Sequence, residues 1–340
     1  MSIQLGPFEI DNPFILAPMA GITNSPFRRL MRKRGSALVI SELVSANGIE
    51  YASQRTLDLL HFEEDERVIG LQIFGESTEN LVKSCQLIEK KGADFVDLNL
   101  GCPVPKVVKK GAGSAMCKDP VSLGKTLSAM VSSVSIPVTI KIRIGWDSES
   151  VNAHEIVKVA EDAGVAWVAI HGRTRAQGYS GLADWDYLGE VKAKSSLPII
   201  GNGDITTPES AVHKLKTYGV DAVMIGRGAL RNPFIFEQAN EVLKGNSYND
   251  PTGDDYLSLL KIQKKYLLEQ FHENKAMLHV KKFLAWYSAG YPGGAEFRRF
   301  VFQTKDSEQV WEGAHSFFLD HTRRRNTSFL REPFLMGGHG

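Results

Sequence analysis

The stretch Phe95-Val96-Asp97-Leu98-Asn99-Leu100-Gly101-Cys102-Pro103 is an apolar run that ends in a turn carrying one thiol. Short, nearly continuous apolar runs of this kind are typical of strands in a parallel sheet that is covered on both faces. Seven similar runs occur elsewhere, and each of the eight is followed by a segment with helical periodicity. The eight runs are residues 14–19, 37–41, 68–74, 95–100, 138–144, 167–171, 198–201 and 222–226.

Eight strand–helix units are what a closed (β/α)8 barrel requires, so the sequence predicts the α/β class and a TIM barrel. The alternative is a doubly wound open sheet. Such a sheet would carry phosphate-binding glycines directly after its first strand. Here that turn reads Ala17-Pro18-Met19-Ala20-Gly21, which is not a dinucleotide fingerprint.

The strand pattern stops after residue 234, and a polar, turn-rich stretch at residues 245–253 follows. Beyond it, residues 256–271 and 278–289 have helical periodicity. We therefore predict a catalytic barrel at 1–243, a linker at 244–254 and a small helical domain at 255–321. Residues 322–340 contain few apolar side chains, which favours a poorly ordered tail.

The formal net charge of +1 conceals an asymmetry along the 340 residues. Residues 1–254 carry 27 basic and 30 acidic side chains, whereas residues 255–325 carry 12 and 8. A basic excess on a small helical domain is compatible with a polyanionic partner such as nucleic acid. A solvated surface is the alternative explanation for an imbalance of this size.

Three cysteines at positions 85, 102 and 117 are too few and too widely spaced for a disulfide framework or a zinc cage. We therefore predict no metal and a reducing environment. The first residues do not have the charged and apolar regions of a signal peptide, and no run reaches the roughly 18 apolar residues that span a bilayer. These features predict a cytoplasmic protein without membrane contact.

Polar residues collect at the carboxyl ends of six of the eight runs, where the catalytic groups of TIM barrels lie. A packed barrel interior would carry Val, Ile and Leu there. The turn cysteine is therefore a candidate catalytic group, although most free cysteines are small buried hydrophobic residues. The polar strand-end residues are Gln72, Asn99, Cys102, Lys141, Arg143, His171, Arg173, Arg175, Asn202, Asp204 and Arg227.

The ends of the seventh and eighth runs carry glycines at positions 201, 203, 226 and 228, beside Arg227. Barrels commonly bind a phosphate after these two strands, because glycine lets backbone N–H groups approach it closely. Tight turns are the alternative use of these glycines.

A charged lysine at position 141 inside a barrel requires an anion beside it. A reduced flavin supplies such an anion. An ion pair with Asp97 is the alternative.

Six motifs, in this order, resemble those of the tRNA-dihydrouridine synthases, and the likeness covers about residues 8–320. The segment from His171 to Tyr179 is most similar to the bacterial DusB branch. The resemblance implies an FMN-bound barrel, NADPH or NADH as electron donor, and a helical domain that grips tRNA. The motifs are Ala17-Pro18-Met19-Ala20-Gly21, Asn99-Leu100-Gly101-Cys102-Pro103, Lys141-Ile142-Arg143, His171-Gly172-Arg173-Thr174, Gly201-Asn202-Gly203-Asp204 and Gly226-Arg227-Gly228.

Carried over to this chain, the resemblance assigns the FMN site and the proton donor. It places Pro18, Met19 and Ala20 against the isoalloxazine ring. It places Gln72, Lys141 and His171 at the polar edge of the ring. The implied ligands of the ribityl phosphate are Asn202, Gly203, Asp204, Gly226 and Arg227, and Cys102 matches the family's proton donor.

The reaction that the family performs suits a protonated thiol. Reducing the uracil double bond requires a hydride at C6 and a proton at C5, and a thiol with a pKa of about 8.5 is mostly protonated at neutral pH. We expect Asn99 and Arg143 to orient a D-loop uracil, and Arg173 and Arg175 to meet RNA phosphates. Candidates for tRNA contacts in the helical domain are Lys281, Lys282, Arg298 and Arg299.

Two other functions are compatible with the sequence. One is a dihydroorotate-dehydrogenase-like flavin barrel that acts on a free pyrimidine, in which the cysteine would be a base. The other is a tRNA-binding protein whose barrel is catalytically idle. For the assigned function we expect a monomer.

Overall fold

The eight apolar runs form a ring of parallel strands in the computed structural model of this chain, which describes residues 3–51, 53–320 and 326. Three further short strands flank the ring. The strands are β1 (Ile3–Leu5), β2 (Phe8–Ile10), β3 (Phe14–Leu16), β4 (Val39–Ile40), β5 (Val44–Ser45), β6 (Ile69–Phe74), β7 (Phe95–Leu100), β8 (Val138–Arg143), β9 (Val168–His171), β10 (Ile199–Asn202) and β11 (Ala222–Ile225).

The order of the strands around the ring is β3, β11, β10, β9, β8, β7, β6 and β4, and these neighbours are hydrogen-bonded. The ring closes between β3 and the segment that leads into β4. Ala37 N donates to Phe14 O at 2.8 Å, and Leu16 N donates to Leu38 O at 3.4 Å. The predicted TIM barrel is confirmed, and the open-sheet alternative is wrong.

Helices surround the ring and continue beyond it as a separate bundle. They are α1 (Ser25–Lys33), α2 (Ala46–Glu50), α3 (Gln54–Asp58), α4 (Thr78–Lys90), α5 (Pro105–Val108), α6 (Pro120–Ser132), α7 (Ala153–Asp162), α8 (Trp185–Lys194), α9 (Pro208–Tyr218), α10 (Arg227–Arg231), α11 (Ile235–Lys244), α12 (Gly253–Gln270), α13 (Glu273–Tyr287), α14 (Gly294–Gln303) and α15 (Ser307–Leu319). Two 3-10 turns lie at Glu64–Glu66 and Gly113–Lys118. None of the described helices is long and apolar enough to cross a membrane.

The inside of the ring changes from apolar to polar along the strands. Residues two apart on a strand face the same side, so Thr139, Lys141 and Arg143 of β8 form one inward row. On β9, Ala169 and His171 form the next row. The apolar members of such rows belong to one buried cluster that fills the lower half of the ring. The polar members therefore collect in the upper half.

The hairpin of β1 and β2 covers the lower end of the ring, a feature that the sequence did not predict. Phe8 packs against Phe95 and against Trp167, with ring centroids 6.0 Å apart in each pair. Phe95 also meets Trp167 edge to face at 4.9 Å. This aromatic cluster closes the end of the barrel away from the predicted site.

Helices α12 to α15 form a bundle, which we call the helical module. Its core contains stacked ring pairs such as Phe297 with Phe317, whose centroids lie 4.1 Å apart. The barrel-side helix α11 ends at Lys244 and α12 begins at Gly253, so the polar stretch between them is the connection. The predicted tail lies outside the described residues, apart from Asn326.

The helical module packs against the barrel beside β3. Phe27 of α1 stacks on Phe283 of α13, with centroids 5.0 Å apart. Arg29 lies over the Tyr266 ring at 3.8 Å and donates to Glu269 at 2.6 Å. The module is therefore fixed next to the first strand of the ring.

Candidate active site at the barrel mouth

A cavity of about 1070 Å3 opens at the carboxyl ends of the strands. It is lined by groups from all eight ring strands or the loops after them. Most of the residues that the sequence predicted for the site meet here. They are Pro18, Met19, Ala20, Gln72, Asn99, Cys102, Lys141, Arg143, His171, Arg173, Asn202, Gly203, Asp204, Gly226 and Arg227.

The charge of this lining is strongly positive. Five basic side chains line the cavity, and Asp204 is the one carboxylate among its described lining residues. Cations gathered in a partly buried site repel one another unless an anion joins them. The mouth is therefore electrostatically suited to an anionic ligand. The basic residues are Lys141, Arg143, Arg173, Arg227 and Arg231.

A chain of side-chain hydrogen bonds connects three strands below the cavity. Asn99 Nδ2 donates to Gln72 Oε1 at 2.9 Å, and Gln72 Nε2 donates to Asp97 Oδ2 at 2.7 Å. Thr139 Oγ1 donates to the other Asp97 oxygen at 2.6 Å. Burial raises the pKa of Asp97, while the bonds from Gln72 and Thr139 and the Lys141 charge oppose the rise. Neutral donors thus satisfy Asp97, and no salt bridge joins this described carboxylate to Lys141, although the two charges act on each other.

Asn99 also positions the thiol turn. Its Oδ1 accepts hydrogen bonds from the backbone N–H groups of Gly101, at 3.2 Å, and Cys102, at 2.9 Å. A side-chain amide has two N–H donors, and one of those on Asn99 is used by Gln72. The predicted contact with a uracil therefore falls to the second amide hydrogen of Asn99.

The Cys102 thiol is half-buried at the cavity wall. Burial raises the pKa of the Cys102 thiol above its ordinary value, and the Arg143 guanidinium opposes this rise. Arg143 Nε donates to Gly101 O at 2.8 Å, and its Nη1 donates to Gly178 O at 2.8 Å. Arg143 thus braces the turn while the thiol stays protonated at neutral pH, which suits a general acid.

Lys141 and His171 stand on neighbouring strands, close to Asn202. Lys141 Nζ donates to Asn202 Oδ1 at 3.2 Å, and Asn202 Nδ2 donates to Met224 O at 2.7 Å. Burial, together with the Arg143 charge, lowers the pKa of Lys141 to about 8, while Asp97 opposes the fall. Burial and the surrounding cations hold the pKa of His171 well below its ordinary value, so its imidazole is neutral.

The loop after β10 has an unusual backbone. Gly203 has a φ of 132° and Asp204 a φ of 51°, so both residues lie in the region of positive φ that favours glycine. A Cβ on Gly203 would lie 2.5 Å from Ala183 Cβ. Trp185 Nε1 and Lys214 Nζ both donate to Gly203 O, at 2.9 Å and 3.0 Å. These contacts fix the backbone of the loop after β10.

Sequence reasoning missed Lys214, which lies on α9 beneath this loop. Its Nζ also donates to Asp204 O at 3.3 Å and lies 4.6 Å from the centre of the Trp185 ring. Burial lowers the pKa of Lys214 to about 8, and Asp204 opposes the fall. No pattern on a helix distinguishes such a lysine from the solvated ones around it.

Arg173 is buried within the mouth, where its side chain is 3% exposed. Its Nη2 lies 2.8 Å from Asp204 Oδ1 and 2.6 Å from Gly181 O. These contacts hold the Arg173 guanidinium against the loops after β9 and β10, and its contact with RNA phosphates stays a prediction. Asp204 is engaged by Arg173 and by the Ala183 N–H, so the backbone of Asp204 is the part suited to a phosphate.

Arg175 is not among the residues that line the cavity. Its guanidinium lies over the Trp146 ring at 4.5 Å, and Lys118 lies at 4.6 Å from the same ring. Tyr179, which sequence reasoning did not select, does line the cavity and lies under Arg227 at 4.6 Å. The loop after β9 therefore contributes an aromatic wall as well as cations.

The four basic residues predicted in the helical module differ in their surroundings. Lys281 is half-buried and donates to Thr304 O at 2.5 Å, so it binds the end of α14. Lys282 and Arg299 are exposed, and Arg298 is half-buried. Only the exposed pair is freely presented for an RNA contact.

Comparison with known proteins identifies relatives along nearly the whole chain. The dihydrouridine synthase (Dus) family model matches residues 15–322. A probable tRNA-dihydrouridine synthase of Rickettsia conorii is 36% identical over 97% of this chain and 99% of its own length. The tRNA-dihydrouridine synthase B of Pseudomonas putida is 35% identical over 96% of this chain and 97% of its own length.

Two solved structures share the barrel at low sequence identity. Histamine dehydrogenase from Rhizobium sp. 4-9 has a TM-score of 0.54 at 11% identity, covering 78% of this chain and 50% of its own. The 6-hydroxypseudooxynicotine amine oxidase of Pseudomonas geniculata N1 has a TM-score of 0.56 at 15% identity, covering 72% and 49%. This chain spans about half the length of each, and the likeness concerns the fold alone.

Proposed function

The chain belongs to the dihydrouridine synthase family and to its tRNA-dihydrouridine synthase B branch, and we propose that it is an FMN-dependent, NADPH-driven enzyme that reduces a D-loop uridine of tRNA. The oxidoreductase class follows from the family. The observation that carries the finer proposal is the half-buried Cys102 thiol at the wall of a cationic cavity, where burial raises its pKa. We also expect a cytoplasmic monomer.

The residues at the mouth fit FMN in three respects. After β10, a Cβ on Gly203 would lie 2.5 Å from Ala183 Cβ, so the position requires glycine, and a glycine backbone lets N–H groups approach a phosphate closely. The five cations of the lining suit a ligand with a phosphate and an ionisable ring. The cavity volume of about 1070 Å3 lies near the upper end of the range for cofactor sites.

Within this proposal, Gly203, Asp204, Gly226 and Arg227 hold the phosphate through backbone N–H groups and one guanidinium. Lys141, which lines the cavity, would stabilise negative charge on the ring of the reduced flavin. When bound and reduced, FMN supplies a hydride for C6 of the uracil. Cys102 holds the proton for C5 on its Sγ and transfers it as the C5–H bond forms, so the thiol ends as a thiolate that regains a proton from water.

The target uracil must leave the folded RNA to enter the cavity. Extrusion of a base costs a few kcal/mol, which contacts with the RNA backbone offset. A free pyrimidine would need no such contacts. The family match extends through α12 to α15, which supports an RNA substrate over the dihydroorotate-dehydrogenase-like alternative.

The test uses the purified full-length chain. We expect a yellow protein whose flavin is bleached by NADPH under anaerobic conditions and reoxidised by tRNA from a strain without dihydrouridine synthases. Mass spectrometry of nucleosides should then detect dihydrouridine. A protein that cannot be reconstituted with FMN, or a reduced flavin that a small pyrimidine acid reoxidises while tRNA does not, would contradict the proposal.

A further inference from the structure

The segment directly after the thiol turn is strongly basic. Residues 98–118 contain four lysines and no aspartate or glutamate. Three of these residues, Lys106, Lys109 and Lys110, lie on α5 and the turn that follows it, and we call them the lysine rim. All three are exposed, and none forms an ion pair with a described acidic side chain.

The lysine rim is attached to the wall of the active site. Val104 and Val107, at the start and within α5, line the cavity. Ser114 Oγ donates to Cys102 O at 2.9 Å, which ties the end of the segment to the thiol turn. The rim therefore stands at the edge of the mouth, next to the proposed acid.

Few acidic side chains on neighbouring elements lie close enough to offset the positive charge of the lysine rim. Glu76, on the loop after β6, packs near Gly111, and its carboxylate accepts a hydrogen bond from Asn47 at 2.9 Å. Lys118, at the end of the segment, lies over Trp146 and acts on Asp147. The three rim charges thus face solvent without a dedicated carboxylate, an arrangement that attracts an external polyanion.

The rim lies across the mouth from the helical module. The module packs on α1 and α10, which follow β3 and β11, the first and last strands of the ring. The rim follows β7, the fourth strand of the ring in chain order. In a ring of eight, the fourth strand is nearly opposite the eighth and the first. A molecule held by the module must therefore cross the cavity to reach the rim.

We propose that the lysine rim binds the phosphate backbone of the tRNA, so that the RNA is held on both sides of the cavity and the target base enters between the two contacts. This inference rests on the proposed function. Ammonium groups act as compact point charges, which suit phosphates without reading sequence. Two separated contacts would also keep the RNA in place while the base is extruded, which opposes the return of the base into the folded RNA.

The test is the salt dependence of tRNA binding by the FMN-loaded enzyme. The rim variant combines Lys106→Gln, Lys109→Gln and Lys110→Gln, which keep the aliphatic stems. The control combines Lys90→Gln, Lys91→Gln and Lys194→Gln, three exposed lysines at the opposite end of the barrel. Both variants lose three charges, so a general effect of net charge is the same in each.

We expect the slope of log Kd against log salt to fall by about 2 in the rim variant, since each lost phosphate contact removes about 0.7–0.9. The control should keep the wild-type slope. Flavin content and the rate of flavin reduction by NADPH should be unchanged in both. A rim variant with the slope of the control would overturn the proposal, and so would slower reduction by NADPH at unchanged tRNA affinity, which would assign the rim to the dinucleotide phosphates.

Two further outcomes separate this inference from the proposed function. If the wild-type enzyme makes dihydrouridine while the rim variant binds tRNA with an unchanged slope, the inference fails and the proposed function stands. If tRNA binding depends on the rim while no dihydrouridine forms, the proposed function fails and the rim stands. A wild-type chain that does not bind tRNA contradicts both.

Discussion

At the scale of single residues, Cys102 carries the proposed proton transfer. Burial raises the pKa of its thiol, and no described histidine or carboxylate bonds to the sulfur, so it is suited to donate a proton and not to attack. Its turn is held by Asn99 below and by Arg143 beside it. These contacts position the thiol without ionising it.

We predict that Cys102→Ala lowers the rate of dihydrouridine formation by about 10²- to 10⁴-fold, the usual contribution of general acid catalysis. FMN binding and flavin reduction by NADPH should be retained, because the thiol is not among the groups proposed to hold the phosphate. Cys117→Ala is the control, since that thiol is half-buried and faces Leu100 O at 3.7 Å. Equal activity of the two variants, measured by nucleoside mass spectrometry, would refute the role of Cys102 as the acid.

Lys141 should make the reaction sensitive to alkaline pH. Burial lowers the pKa of Lys141 to about 8, so its positive charge is present below that pH and is lost above it. Under the proposed function this charge would stabilise a reduced, anionic flavin, so we predict that flavin reduction by NADPH slows as the pH rises from 7 to 9. Stopped-flow absorbance measures this rate.

A second lysine provides the control for this pH dependence. Burial also lowers the pKa of Lys214 to about 8, but its Nζ is bonded to loop carbonyls. At saturating FMN, Lys141→Gln should give a slow rate that no longer changes between pH 7 and 9, whereas Lys214→Gln should keep the alkaline decline. Loss of the decline in Lys214→Gln alone would contradict the assignment to Lys141.

At the scale of elements, the loop after β10 has two residues with positive φ, Gly203 and Asp204, and its backbone at Gly203 lies close to the side chain of Ala183. Gly203→Ala would place a Cβ 2.5 Å from Ala183 Cβ at a φ of 132°. We predict at least a tenfold loss of FMN affinity and a loss of about 1–3 kcal/mol in the free energy of unfolding. Fluorescence titration with FMN and chemical denaturation measure the two effects.

Gly219 separates the effect of the loop from that of backbone strain. It ends α9 with a φ of 64°, and a Cβ there would meet no atom within 4 Å. Gly219→Ala should therefore cost about 1 kcal/mol of stability and leave FMN affinity unchanged. If both alanine variants lose FMN equally, the loop after β10 does not form the phosphate site.

At the scale of the whole molecule, the helical module depends on its contact with the barrel. Phe283 is 2% exposed and stacks on Phe27. We predict that Phe283→Ala lowers the free energy of unfolding by about 3–5 kcal/mol and weakens tRNA binding, because the module loses its fixed position. The FMN content should stay near that of the wild type, since all residues proposed to hold FMN belong to the barrel.

Phe302 offers a matched control in the same module. It is 58% exposed, so Phe302→Ala should change stability by less than about 0.5 kcal/mol. Differential scanning calorimetry and tRNA titration compare the two variants. A loss of FMN in Phe283→Ala that exceeds its loss of tRNA affinity would contradict the separation of the two parts.

Much of this architecture could be predicted from local pattern. The eight apolar runs predicted the ring, because a strand that is buried on both faces must be apolar along its length. The hairpin of β1 and β2 was missed, because a strand of three residues is too short to show the alternation of apolar and polar residues by which strands are recognised. The short strand β5 was missed for the same reason.

The surroundings of charged side chains could not be predicted in this way. Arg173 and Lys281 were expected to face RNA, and in the structure one contacts Asp204 and the other binds Thr304 O. The sequence shows where a basic side chain is. Its hydrogen-bond partner depends on which residues, distant in the chain, the fold brings next to it. Lys214 was missed for the same reason.

The sequence by itself determined the barrel, the helical module and the presence of a thiol, a lysine and paired glycines at strand ends. These follow from periodicity and from the rule that parallel strands end at one mouth. Only the tertiary structure decided which cations are enclosed, which are exposed at the lysine rim, and how Asn99 and Arg143 brace Cys102. The reason is physical, because burial and hydrogen-bond partners arise from contacts between strands and loops that are distant in the chain.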